Sequence, residues 1–191
     1  MINCQNPQRG LLTCVALLVF ATVSWAQPAG EVFTATAAVK TAGGASATAP
    51  VTIEITRMMS QPEAEAMTNA FVKGGVAGLR KALATTAATG SIKIGSGTPT
   101  PTRLTLERQT ERGRMLTIVT DRPLLFLGAG LPDAKPKEGY DFGIVDVIVD
   151  PAGSGTGTMS TAAKVTVRQG VFVVDDYSGE LVRLDRVTKL R

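Results

Sequence analysis

Any chemistry in this chain must be done without histidine, since the sequence contains none, and its two cysteines, Cys4 and Cys14, both lie near the amino terminus. Ser-His-Asp and Cys-His relays are therefore closed to a single chain, and so are zinc sites of the usual His/Cys kind. The groups left are carboxylates, lysines, tyrosines and hydroxyls. The most suggestive placement is Thr120-Asp121-Arg122-Pro123, at the junction of two apolar runs. Pro123 biases Arg122 toward an extended backbone. Asp121 and Arg122 are thus candidates for holding a polar ligand, or for capping a strand end by bonding to backbone and to each other.

Asp146 is the third candidate. It sits inside the apolar segment FGIVDVIV with the parity of Phe142, Ile144 and Ile148. If that parity faces the core, the carboxylate needs a partner, because a buried unpaired charge is costly; Arg122 and Arg183 are the expected ones. Asp121, Asp146 and Asp150 are also the carboxylates available to a hydrolase, whose glycosidase form requires two carboxyls flanking one cleft. Asp146, Asp150, Asp175 and Asp176 do not follow a calcium-loop spacing, so no metal site is expected, and no cofactor. Gly153-Ser154-Gly155-Thr156-Gly157-Thr158 lacks the Gly-Lys-Ser/Thr ending of a phosphate loop and reads as a flexible turn. The arginines at 103, 108, 112, 114 and 122 alternate with acids and have no aromatic among them. Nucleic-acid platforms stack bases on aromatics, so a solvated sheet face is expected and no nucleic-acid partner.

The amino-terminal segment sets the address. A polar start carrying Arg9 precedes an apolar run over 11–23, and Ser24-Trp25-Ala26 supplies a small-x-small cleavage pattern. These are the three parts of a secretory signal peptide. The apolar run is shorter than the roughly 20 residues of a membrane span, so cleavage after Ala26 is predicted. The expected organisation is a signal over 1–26 and a single exported domain over 27–191, periplasmic or secreted. Cleavage removes both cysteines, leaving a disulfide-free domain that relies on its core. It also removes Arg9 from the 20 basic residues set against 16 acidic ones, so the high isoelectric point reflects a small excess and not a basic arm.

The elements that must position these residues follow from periodicity. Segment 31–40 alternates Phe33, Ala35, Ala37 and Val39 with polar or small neighbours, and Val51, Ile53 and Ile55 alternate with Thr52, Glu54 and Thr56, which predicts a first hairpin. Ser60-Gln61-Pro62-Glu63 is a capping box. Ala64, Met67 and Phe71, then Val76, Leu79 and Leu83, fall at helical spacing on either side of Lys73-Gly74-Gly75, as two helices or one kinked helix. Strands are expected around 92–94, 104–107, 115–120, 124–127, 142–149, 164–168, 171–174 and from 181. The apolar character of 142–149 on both sides marks a strand packed on both faces. The fold class expected is α+β: one antiparallel-sheet-dominated domain, as a curled sheet, partly closed barrel or sandwich, with a helical insertion near 60–87. An integral outer-membrane barrel does not fit, because only 5% of residues are aromatic and such barrels carry aromatic girdles.

Function is read from these constraints as that of a soluble, non-enzymatic module that binds a small molecule or an envelope or extracellular protein. A carboxylate-dependent hydrolase is one alternative, and a structural or assembly role through a sheet edge is another.

Overall fold

Alternation of apolar and polar residues makes strands, and short polar turns make neighbouring strands antiparallel. The computed structural model describes residues 30–40, 46–124, 126, 138–168, 171–176 and 181–190. The segment over 1–26 read as a signal, the cleavage expected after Ala26, residues 125 and 127 of the strand expected at 124–127 and the turn expected at Gln169-Gly170 lie outside them. Strands β1 (Glu31–Lys40) and β2 (Ser46–Ile55) form the expected hairpin, in register from Glu31 opposite Ile55 to Lys40 opposite Ser46. After the helix α1 (Gln61–Thr85) come β3 (Gly90–Ile94), β4 (Thr100–Thr110), β5 (Gly113–Thr120), β6 (Phe142–Val149), β7 (Ser154–Arg168), β8 (Val171–Asp176) and β9 (Val182–Lys189). Every pairing is antiparallel. Strands β1 to β7 follow one another around the sheet, β9 lies between β7 and β1, and the β6–β7 pairing closes an eight-stranded barrel. The remaining strand, β8, pairs with the far half of β7 as an extension of the closed wall.

The barrel interior is a packed core. Phe33, Ile53, Leu116, Ile118, Val145, Val147, Met159 and Leu184 point into it from six strands, and each is fully buried. Burying one such side chain contributes about 1.5–3 kcal/mol. Three threonines share this interior: the Thr89 hydroxyl bonds those of Thr102 at 3.0 Å and Thr105 at 2.8 Å, which satisfies groups that would otherwise be buried without partners.

A second core lies outside the wall. Met67, Phe71, Val76, Leu79 and Leu83 of α1 pack with Met59 on Leu104, Val119, Phe142, Ile144 and Val165. The predicted two-faced packing of 142–149 thus has a physical cause: its odd residues line the barrel, and Phe142 and Ile144 lie beneath the helix. The capping box forms, with the Ser60 N–H donating to Glu63 at 2.8 Å. Gly75 adopts φ 59° and ψ −150°, conformations side chains avoid, so the Gly-Gly signal marks a kink within one helix.

Two expectations change. Segment 153–157 is not a free turn, since β7 begins at Ser154 and runs between β6 and β9. Gly155 approaches the β6 backbone so closely that a Cβ there would collide with the Ile148 carbonyl. The residues that look like a loop are small because the strand is crowded. The second change concerns Asp146, whose parity belongs to the outer face and not to the core.

Candidate binding site at the barrel mouth

At one rim of the barrel, three strands end their interior column of side chains in a charged residue. Glu31 stands two residues before Phe33, Arg114 two before Leu116 and Lys189 two after Val187, so the alternation that buries the apolar residues turns three charged ones inward. They meet there. The Glu31 carboxylate accepts from Arg114 at 2.5 Å and from Lys189 at 2.6 Å, joining β1 to β5 across the mouth and to its neighbour β9. Arg114 also faces Glu107 at 3.6 Å. Burial opposes ionisation of Glu31, whose side chain is only 12% exposed, but the bonds to Arg114 and Lys189 outweigh it and hold the carboxyl below its ordinary range.

A cleft of about 560 Å³ opens beside this ion pair. Its walls are the end of the β4–β5 hairpin at Gln109 and Arg114, the β6–β7 turn from Asp150 to Gly153, and the end of β9 at Lys189. The turn is braced: Ser154 N–H donates to the Asp150 carboxylate at 2.9 Å, and Lys189 N–H donates to the Gly153 carbonyl at 2.8 Å. A smaller cleft of about 160 Å³ lies on the other side of Arg114, with Glu31, Ile55, Met58 and Glu107 in its walls. Arg114 therefore stands between the two. Lys189 lines the larger cleft, Glu31 and Glu107 line the smaller one, and Arg114 borders both while its guanidinium reaches Glu31 and Glu107.

Asp121 and Arg122 lie at the far end of β5 from this mouth. The Asp121 side chain is 7% exposed and accepts from Arg103 at 3.0 Å and Arg122 at 2.8 Å. Burial opposes its ionisation, and Arg122 and Arg103 overcome that, lowering its pKa; Asp121 in turn raises that of Arg122. Arg103 also donates to the Thr86 carbonyl at the end of α1 at 3.0 Å. Asp146 is half-buried on the outer wall and accepts from the Thr117 hydroxyl at 2.5 Å. Neither expected arginine partners it: Arg122 is engaged with Asp121, and Arg183 lies 3.8 Å from Asp185. Asp146 lies outside the barrel, opposite Thr117 of β5 and Thr158 of β7, and Arg183 on the same outer face stands one strand further on, opposite Thr158. Asp121, Asp146 and Asp150 therefore face three different surfaces.

The arginine run is also more than a solvated face, because Arg103 and Arg114 are half-buried and ion-paired. The parity shared by Arg114, Leu116 and Ile118 was the available signal for an inward-facing cation. Among the described residues, no three acidic, histidine or cysteine side chains gather as a metal site. Comparison with protein-family models, curated proteins and solved structures finds no match to this chain.

Proposed function

We propose that the protein is an exported, non-enzymatic binding module that takes a small polar ligand at the mouth of its barrel. The carrying observation is the contrast between the two possible places for a ligand. The lumen is filled by side chains of the barrel's own core, while the mouth has an open cleft of about 560 Å³ with polar groups converging on it, in the size range of small-molecule sites. The outer wall supports a soluble protein, since Glu54, Lys93 and Arg183 point outward and the apolar residues that face out at Leu104, Val119, Phe142, Ile144 and Val165 are covered by α1. That is the reverse of a membrane barrel. No helix among the described residues is long and apolar enough to cross a membrane. The signal-like segment over 1–26 supports export to the periplasm or beyond.

Binding is favoured over hydrolysis by the state of the carboxylates. Glu31 and Glu107, which share the smaller cleft, are both engaged by Arg114, whereas a hydrolytic pair needs one group protonated and one free. Native mass spectrometry of the protein purified from its own host tests the reading. A retained small molecule, released when the cleft is altered at Lys189, is expected; repeated recovery of a ligand-free protein sinks it.

A further inference from the structure

We infer that the larger cleft is built for an anionic ligand, one bearing a carboxylate or phosphate group, and that Glu31 is the built-in anion it displaces. This rests on the mouth being the binding site and goes further, to the chemistry of what binds. Arg114 and Lys189 both line the cleft, yet their shared counter-ion, Glu31, stands behind them with the smaller cleft. The Asp150 carboxylate accepts from Ser154 N–H in bracing its turn. A ligand in the larger cleft thus meets Lys189 directly and the flank of Arg114, and it competes with Glu31 for both cations. Release of Glu31 frees one terminal nitrogen of the Arg114 guanidinium as a donor to an incoming anion, and Lys189 adds a mobile point charge. Lys189 is 37% exposed, so it can turn from Glu31 to a ligand without unpacking the core. Arg114 keeps Glu107 within 3.6 Å when Glu31 is released, so its charge is not stranded. The exchange is one carboxylate for another anion on the same two cations. Glu31 holds the empty site together and sets a threshold that weak anions do not cross.

The test is titration of the purified protein with citrate and with inorganic phosphate at constant ionic strength, followed by amide NMR shifts. Wild-type protein should bind weakly, with shifts concentrated at Arg114 and in the 150–153 turn. Glu31→Gln removes the competitor and should tighten binding about tenfold, the worth of one charge-assisted hydrogen bond. Lys189→Met should weaken binding by a similar factor, and Lys189→Arg should restore it. Circular dichroism checks that each variant is folded, and the exposed position of Lys189 keeps that arm informative if Glu31→Gln unfolds. If citrate and phosphate shift neither segment in wild type or Glu31→Gln, or if affinity ignores both substitutions, the anion assignment is overturned. A host-retained neutral molecule in the same cleft would overturn it while leaving the mouth as the binding site. Shifts confined to another surface would overturn both.

Discussion

Arg103 and Asp121 are 18 residues apart in sequence and joined at 3.0 Å, and the same guanidinium reaches the Thr86 carbonyl where α1 ends. One side chain thus ties the ends of β4 and β5 to the end of the helix on the outer wall. Because Asp121 is nearly buried, its removal leaves Arg103 without its countercharge, in the range where breaking a pair costs more than an exposed salt bridge is worth. Asp121→Asn should lower unfolding stability by about 2–3 kcal/mol, measured by urea titration. A loss below half a kcal/mol would show the tie to be ornamental.

Acid should unfold the protein through the same class of contact. Glu63 is lowered to about 2 from its ordinary 4.5, first by the Ser60 backbone N–H, then by Arg57 and the Ser60 hydroxyl. Asp121 and Glu31 are lowered too, their arginine and lysine partners outweighing burial. The unfolded chain therefore takes up protons at higher pH than the folded one. The stability these groups confer is complete above their ordinary values and is lost as pH falls through the folded ones. The midpoint of thermal unfolding should stay level from pH 7 to roughly pH 5 and then fall steadily toward pH 2. Glu63→Gln should shallow that fall. A midpoint unchanged down to pH 3 would contradict the account.

Gly155 tests how tightly β7 is seated. A methyl group there meets the Ile148 carbonyl of the neighbouring strand, and backbone cannot rotate aside as a side chain can. Gly155→Ala should cost about 1–3 kcal/mol, the usual range for overpacking, and should speed amide exchange along the β6–β7 seam. Neutral behaviour would mean that the barrel closes more loosely than this geometry requires.

Much of the fold was legible because its strands alternate cleanly. Glu31–Lys40 was readable to the residue, since Phe33, Ala35, Ala37 and Val39 pack one face and hydroxyls the other. The start of β7 was not, because Ser154, Gly155, Thr156, Gly157 and Thr158 carry no apolar period. Their smallness is dictated by a neighbouring backbone, which a single segment does not record. Closure into a barrel was equally silent, for it depends on β9 pairing with both β7 and β1. The mouth was hidden for a related reason: Glu31, Arg114 and Lys189 are far apart in sequence, and only closure brings their strand ends together.

Phe142 tests the docking of the helix separately from the barrel. It is fully buried in the outer core, with Met67, Phe71 and Leu83 in the same cluster. Phe142→Ala should cost about 3–5 kcal/mol and should preferentially expose α1. Limited proteolysis near the Gly74-Gly75 kink should accelerate before the barrel amides lose protection. Loss of protection everywhere at once would instead make the helix part of a single cooperative unit.

The export proposed from segment 1–26 can be checked in the covalent structure. The expected scissile bond follows Ala26, and β1 begins at Glu31, so Gln27-Pro28-Ala29-Gly30 separates the cut from the first strand. That spacing leaves Glu31 and its ion pairs clear of the small-x-small cleavage pattern. Protein recovered from outside the cytoplasm should therefore begin at Gln27 by intact mass and should take up no maleimide, because Cys4 and Cys14 leave together. Replacing the small residue at the cut, as in Ala26→Leu, should accumulate the uncut precursor. Recovery of a chain that retains residues 1–26, with both thiols reactive and in the cytosolic fraction, would remove the export reading and with it the periplasmic or extracellular setting proposed for the ligand.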